Sequence, residues 1–194
     1  MQFITTKKKI KSKKIGIHQN ITEGKALSKK SFMVLTDNNN NFNIKPEIFF
    51  LHNYFKINKI KKAIYHEFKK QIQNVIESNL VITHIDTHQH VHYSPFIFTI
   101  IKILSKEFKI NKIRKIDEKF NVNCFFKNFK FKFHNNNYLK YLLLKIFKRK
   151  DFNKKNTSDY FFGILNSGKI QLNELLLYID KINENKTIEL CIHP

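Results

Sequence analysis

The chain has 194 residues, with 36 Lys or Arg against 15 Asp or Glu and a formal net charge of +21. A hydrophobic share of 42% is ordinary for a globular domain, which argues against wholesale disorder, and no apolar run reaches the ~18 residues of a membrane helix. The basic start has no apolar stretch behind it and is no secretory signal. Two cysteines, Cys124 and Cys191, cannot make a disulfide framework, so a reducing cytoplasm is the expected setting.

The charge invites a polyanion reading. Lys (34), Ile (28), Asn (23) and Phe (20) make up 105 of the 194 residues, and all four have A/T-rich codons, an explanation of the lysine excess that needs no partner. A field of this sign attracts phosphate by long-range steering. Only Arg114 and Arg149 are arginine, however, and arginine is the bidentate reader of phosphates and guanine, so specific nucleic-acid recognition is not expected.

In chain order, Ile15-Gly16-Ile17 predicts a short strand, followed by a polar turn at Thr22, Glu23 and Gly24 and an Asn-rich loop over 37–43. Ile57, Ile60, Ile64, Phe68, Ile72, Val75 and Ile76 recur at three- and four-residue spacing, predicting an amphipathic helix over 57–78 that Asn79 stops. Residues 80–93 read as a strand. Pro95 suits the first turn of a helix that buries Phe98, Ile101, Leu104 and Phe108. A short strand is predicted at 111–116, an irregular excursion at 119–137, helices at 138–148 and 171–183, and a strand at 187–192. Strands separated by helices of this length predict a parallel α/β sheet. Neither a repeat nor a second domain is predicted, so residues 1–194 read as one domain.

Four of the nine histidines fall between His84 and His92, interleaved with Asp86. His84, Asp86, His88, His90 and His92 have a strict period of two, which on a strand projects all five from one face, about 6.6 Å apart along it. That span is too long for all five to ligate one ion. One or two could do so while the others support the ligands or meet substrate. A helix would instead align His84, His88 and His92, but Val81, Ile82, Thr83 and Thr87 favour a strand.

Three separated segments, in order, resemble the YdjC-like carbohydrate deacetylases, a family that includes chitooligosaccharide deacetylases and a hopanoid-biosynthesis branch. They are Gly16-Ile-His-Gln-Asn-Ile-Thr-Glu-Gly24, Thr83-His-Ile-Asp-Thr-His-Gln-His-Val-His92 with Pro95 and Arg114 beyond it, and Glu189-Leu-Cys-Ile-His-Pro194. Phe162-Gly163 and Ser167-Gly168 also fit the family pattern. The resemblance implies a TIM-like α/β barrel of the glycoside hydrolase/deacetylase type. It also implies a divalent metal ion, Mg²⁺ first and Zn²⁺ as the alternative, used to remove acetyl from an N-acetylated sugar.

By the same resemblance His18 and His88 would be the metal ligands and His193 the general acid. Asp86 and His84 would stand behind the ligands, while His90, His92 and Arg114 would meet the substrate. The chemistry suits these groups: a divalent ion polarises an amide carbonyl and acidifies water, imidazole supplies directional neutral ligands, and an acid protonates the departing amine.

The family's opening strand, ending in Ala-Asp-Asp-Phe-Gly, has no counterpart ahead of Gly16, and the first aspartate is Asp37. The expectation is therefore an incomplete barrel lacking its first strand and also a C-terminal segment, with impaired activity. A third ligand would come from another chain such as a separately encoded N-terminal fragment, and a homo-oligomer is compatible with this. The alternative expectation is a non-catalytic basic remnant that binds anionic polymers such as RNA or polyphosphate. A third reading, hydrolysis of a phosphoester by similar metal chemistry, is disfavoured by the first and last matching segments.

Overall fold

A computed structural model of the chain describes residues 14–51, 57–119, 137–148, 157–168, 170–182 and 185–192. It forms two compact units, Met1–Ile113 and Arg114–Pro194.

The first unit contains β1 (Lys14–Gln19), α1 (Ile48–Leu51), α2 (Ile57–Glu77), β2 (Val81–Thr87), α3 (Pro95–Glu107) and β3 (Lys112–Ile113). Its three strands lie in the order β1-β2-β3, all parallel. The 3.6-residue period of α2 carries Ile64, Phe68, Ile72 and Val75 into the core, each at most 3% exposed. Burial of such side chains stabilises by about 1.5–3 kcal/mol apiece. Ile76, expected on the same stripe, stays 45% exposed at its margin. Asn79 ends the helix as the sequence predicts, in the left-handed conformation at φ 59°. Pro95 opens α3, whose Phe98, Ile101 and Leu104 are buried, the last two in one core cluster with Ile17 of β1 and Ile85 of β2.

The predicted strand over 80–93 is shorter than expected. It stops at Thr87, and His88–Tyr93 is a 3-10 segment in which Gln89 and His90 take left-handed backbone angles, φ 53° and 56°. Two such residues cost about 1–2 kcal/mol each. The period-two alignment of five side chains therefore holds for His84 and Asp86 and fails beyond them.

The second unit contains α4 (Asn137–Ile146), β4 (Tyr160–Phe162), α5 (Leu172–Ile179) and β5 (Ile188–Leu190). β4 and β5 pair in parallel, with Tyr160 opposite Ile188 and Phe162 opposite Leu190. The three elements predicted over 138–148, 171–183 and 187–192 are present and shorter, whereas the three-residue β4 was not anticipated. Gly163, after β4, has φ 127° and lies so close to the next strand that a Cβ there would stand 2.4 Å from the Cys191 carbonyl oxygen. The Glu118 carboxylate ties the loop that follows by accepting from the backbone N–H groups of Gly163, Ile164 and Leu165. Most of the excursion predicted over 119–137 lies outside the described residues. Both units are mixed α/β with parallel pairing, as the alternation of elements predicts.

Candidate functional site

The site begins with strand register. A bulge between Ile15 and Gly16 sets Gly16 opposite His84 and His18 opposite Asp86. Gly16 is required by close approach: a Cβ there would stand 2.2 Å from His84 Nε2. The Thr83 hydroxyl donates to the Ile15 carbonyl and lies 3.0 Å from His84 Nδ1, fixing the ring over Gly16.

One register step along, His18 Nδ1 lies 2.6 Å from Asp86 Oδ2. The carboxylate is 3% exposed and the imidazole 40%, so the acceptor is buried while the ring reaches the surface. A proton on Nδ1 directed at this carboxylate leaves Nε2 with its lone pair outward. That nitrogen faces His88 Nδ1 at 3.4 Å, the two rings standing edge to face. On the far side of His88, Glu23 Oε1 lies 3.2 Å from Nε2, at ion-pair distance. The two inner nitrogens can share a proton or hold a cation between them.

The turn after β2 aims His88. Its left-handed residues are held by the Thr87 hydroxyl, which accepts from the His92 backbone N–H at 3.0 Å and meets His92 Nδ1 at 2.7 Å. His92 is fully buried and His90 is 7% exposed, with their rings 6.4 Å apart. In this arrangement the pair supports the turn from inside. The Ser94 hydroxyl adds a buried bond to the Phe49 carbonyl, tying the end of the turn to α1.

The sequence places Glu23 in a polar turn inside the first resembling segment and gives it no site role. That turn is ordered by Asn20, whose Oδ1 accepts from Thr22 N–H, the Thr22 hydroxyl and Glu23 N–H, while its Nδ2 donates to the Glu23 carbonyl. Asn two to three residues before the turn was the available signal, since such side chains cap the backbone ahead of them. Beside His18 a cavity of about 260 Å³ opens, with Asn20, Glu23, Lys25 and Asn74 among its polar walls and Phe42 and Val75 among its apolar ones.

The structure thus brings together His18, His88 and Asp86, with His84 next to them on the same strand face. Arg114 belongs to the second unit, where its guanidinium pairs with the Glu189 carboxylate, which also accepts from the Ser158 hydroxyl. His193 lies outside the described residues. Among the described residues no group of three or more His, Cys, Asp or Glu side chains is arranged to hold a metal ion, and no helix is long and apolar enough to cross a membrane.

Comparison with known proteins supplies the context for this geometry. The carbohydrate deacetylase of Clostridium beijerinckii is 34% identical over 101 residues, which are 50% of this chain and 36% of that protein. The carbohydrate deacetylase of Vibrio parahaemolyticus is 31% identical over 97 residues, with the same two shares. The matched segment therefore spans little more than a third of these relatives' length. Among solved structures, an Enterococcus faecalis protein provisionally described as a cellobiose-phosphate cleavage protein superposes with a TM-score of 0.58 at 18% identity, covering 93% of this chain and 59% of that one. At that identity the likeness is one of fold. The model of the family described as YdjC-like protein matches residues 2–194, and the chain belongs to that family.

Proposed function

We propose that this chain contributes a hydrolytic site that removes acetyl groups from N-acetylated carbohydrates, with a divalent ion held by His18 and His88. The observation that carries this reading is the pair of facing ring nitrogens 3.4 Å apart, each on a ring whose other nitrogen is turned to a carboxylate. Nitrogen ligands lie about 2.0–2.1 Å from zinc, which puts two ligands of a tetrahedral centre about 3.3–3.4 Å apart. The spacing fits that requirement. Carboxylates hydrogen-bonded behind ligating imidazoles fix their tautomers and raise their basicity, which is the relation of Asp86 to His18; Glu23 lies within ion-pair distance of His88 Nε2 without a hydrogen bond to it. A third ligand would come from outside the described residues, either from the remainder of this chain or from a separately encoded segment.

A divalent ion, when bound, supplies carbonyl polarisation and a lowered pKa for water. The chain's own groups would do the rest. Asp86 orients the His18 ring, Glu23 adds a negative charge beside His88, and the buried His90 and His92 stabilise the turn that presents His88. His193 would give a proton to the departing amine, a contribution worth roughly 10²–10⁴ in rate. A substrate role for Arg114 would require it to exchange Glu189 for the sugar. Mg²⁺ prefers oxygen ligands, so two imidazoles move the choice of ion from Mg²⁺ towards Zn²⁺ or its neighbours. The purely parallel pairing of both sheets supports, as part of the same proposal, the incomplete TIM-like barrel. Family membership favours this hydrolase reading over a polyanion-binding remnant.

The test is divalent-ion stoichiometry in wild type and His88→Ala, together with acetate release from N-acetylglucosamine oligomers in the presence of Zn²⁺, Co²⁺ or Mg²⁺. Loss of the bound ion in H88A is expected. Full stoichiometry in that variant would remove His88 from the site.

A further inference from the structure

We infer that Gln71, on the polar side of α2, is a positioning residue that fixes the His18 end of β1. Its bearing on ion capture rests on the reading of His18 and His88 just given.

β1 ends at Gln19, yet the backbone of the next residue is still paired. Gln71 Oε1 accepts from the Asn20 N–H at 3.0 Å, and Gln71 Nε2 donates to the Asn20 carbonyl at 2.6 Å. A planar carboxamide offers a donor and an acceptor side by side, much as a residue on an adjoining strand would. The second Gln71 amide hydrogen goes to Glu67 Oε1 at 3.0 Å, one turn earlier on α2.

Glu67 is fully buried. It also accepts from the N–H groups of Leu27 and Ser28 and from the Ser31 hydroxyl. It therefore anchors both Gln71 and the chain leaving the turn. Both hydrogens and the oxygen of the Gln71 carboxamide are engaged, so although the residue borders the cavity it is occupied in holding backbone.

The pinned Asn20 stands two residues after His18 and three before Glu23, the two groups that meet Asp86 and His88. Its own side chain orders the turn that carries Glu23. A single amide on α2 thus constrains both flanks of the histidine pair.

Gln71→Met keeps length and volume and removes both polar atoms. Ser31→Ala removes one bond to the same Glu67 carboxylate without touching Asn20, and so controls for general loosening. The readouts are the ring ¹⁵N signals of His18 and the amide signal of Glu23 in metal-free protein, and the affinity for Co²⁺. Q71M is expected to move the His18 and Glu23 signals and to weaken Co²⁺ binding tenfold or more, the usual scale when support behind a ligand is lost. S31A is expected to lower the thermal midpoint and leave both readouts as in wild type.

Unmoved His18 signals in Q71M, or an equal displacement in S31A, would overturn the positioning role. Wild-type protein that takes up no Co²⁺ while Q71M still displaces the His18 ring would overturn the ion reading alone, with the positioning role upheld. Should Q71M not fold, Gln71→Glu, which retains the acceptor for Asn20 N–H and loses the donor, is expected to displace the same signals. Unchanged signals there would count against the role equally.

Discussion

His18 and Asp86 are register partners on neighbouring parallel strands, and the contact between His18 Nδ1 and Asp86 Oδ2 at 2.6 Å follows from that register. The carboxylate is buried on one strand and the ring half-exposed on the other, so the pair presents one imidazole nitrogen outward with its tautomer fixed. Asp86→Asn preserves the shape and removes the charge that holds the Nδ1 proton. Divalent affinity is expected to fall about 10–100-fold, measured by Co²⁺ titration of the two proteins side by side. Equal affinities would mean that Asp86 does not support a ligand.

Gly16 and His84 test the same register from its other end. The ring of His84 occupies the space where a Cβ on residue 16 would go, with Nε2 2.2 Å and Cε1 2.3 Å away, and Thr83 restrains the ring. Gly16→Ala is expected to destabilise the protein by about 1–3 kcal/mol, the usual cost of overpacking. Adding His84→Ala removes the obstacle, so the double variant should recover part of that loss. Urea denaturation of the four proteins in the cycle measures the coupling, and strict additivity would show that the two residues do not compete for space.

These residues also mark how far the sequence could be read. Alternation correctly put His84 and Asp86 on one strand face, because a period of two is a backbone property. It failed after Thr87, where Gln89 and His90 adopt positive φ. Gln does not signal that conformation and His does so only weakly, and the bonds between His92 and Thr87 that hold it close a five-residue turn that a period-two pattern does not mark. The bulge between Ile15 and Gly16, which decides that His18 meets Asp86, is likewise a property of two strands together. Glu23 and Gln71 escaped notice for a related reason: each looks like an ordinary polar surface residue until the segment it touches is known. The three-residue β4 is too short to carry a period at all.

In the second unit, Asp117 gathers Lys148 at 2.7 Å, Lys115 at 3.3 Å and Lys145 at 3.4 Å. Burial pushes its carboxyl upward, but the hydrogen bond and charge of Lys148, with the charge of Lys115, outweigh this and hold it below the ordinary 3.8. A carboxyl lowered by folding stabilises the folded state above its unfolded pKa, and that contribution is lost as pH falls through the folded value. Asp117→Asn is therefore expected to be less stable than wild type at pH 7 and to converge with it as pH falls below 3.8. Added salt should narrow the neutral-pH gap. Denaturant midpoints at neutral and acid pH check this, and a gap that persists in acid would point to packing.

The alkaline limb has its own groups. Burial raises the Tyr178 phenol from 10.0 to about 12, a shift reduced by the Lys119 backbone N–H and reinforced by the charges of Glu118 and Asp117. Tyr141 is raised to about 12 as well, by burial and by the same two carboxylates. The Tyr178 hydroxyl donates to the Phe161 carbonyl at 2.8 Å, so ionisation would place a phenolate against an acceptor. Folding favours the neutral phenol, and the associated stability is complete below pH 10 and lost as pH rises from 10 towards 12. Absorbance at the phenolate band should show both phenols ionising above pH 10, with the late step coinciding with unfolding by circular dichroism. Tyr178→Phe should shrink the late step while costing about 1 kcal/mol at neutral pH through the lost hydrogen bond to the Phe161 carbonyl. Uniform titration of every tyrosine near pH 10 in folded protein would contradict the burial of both phenols.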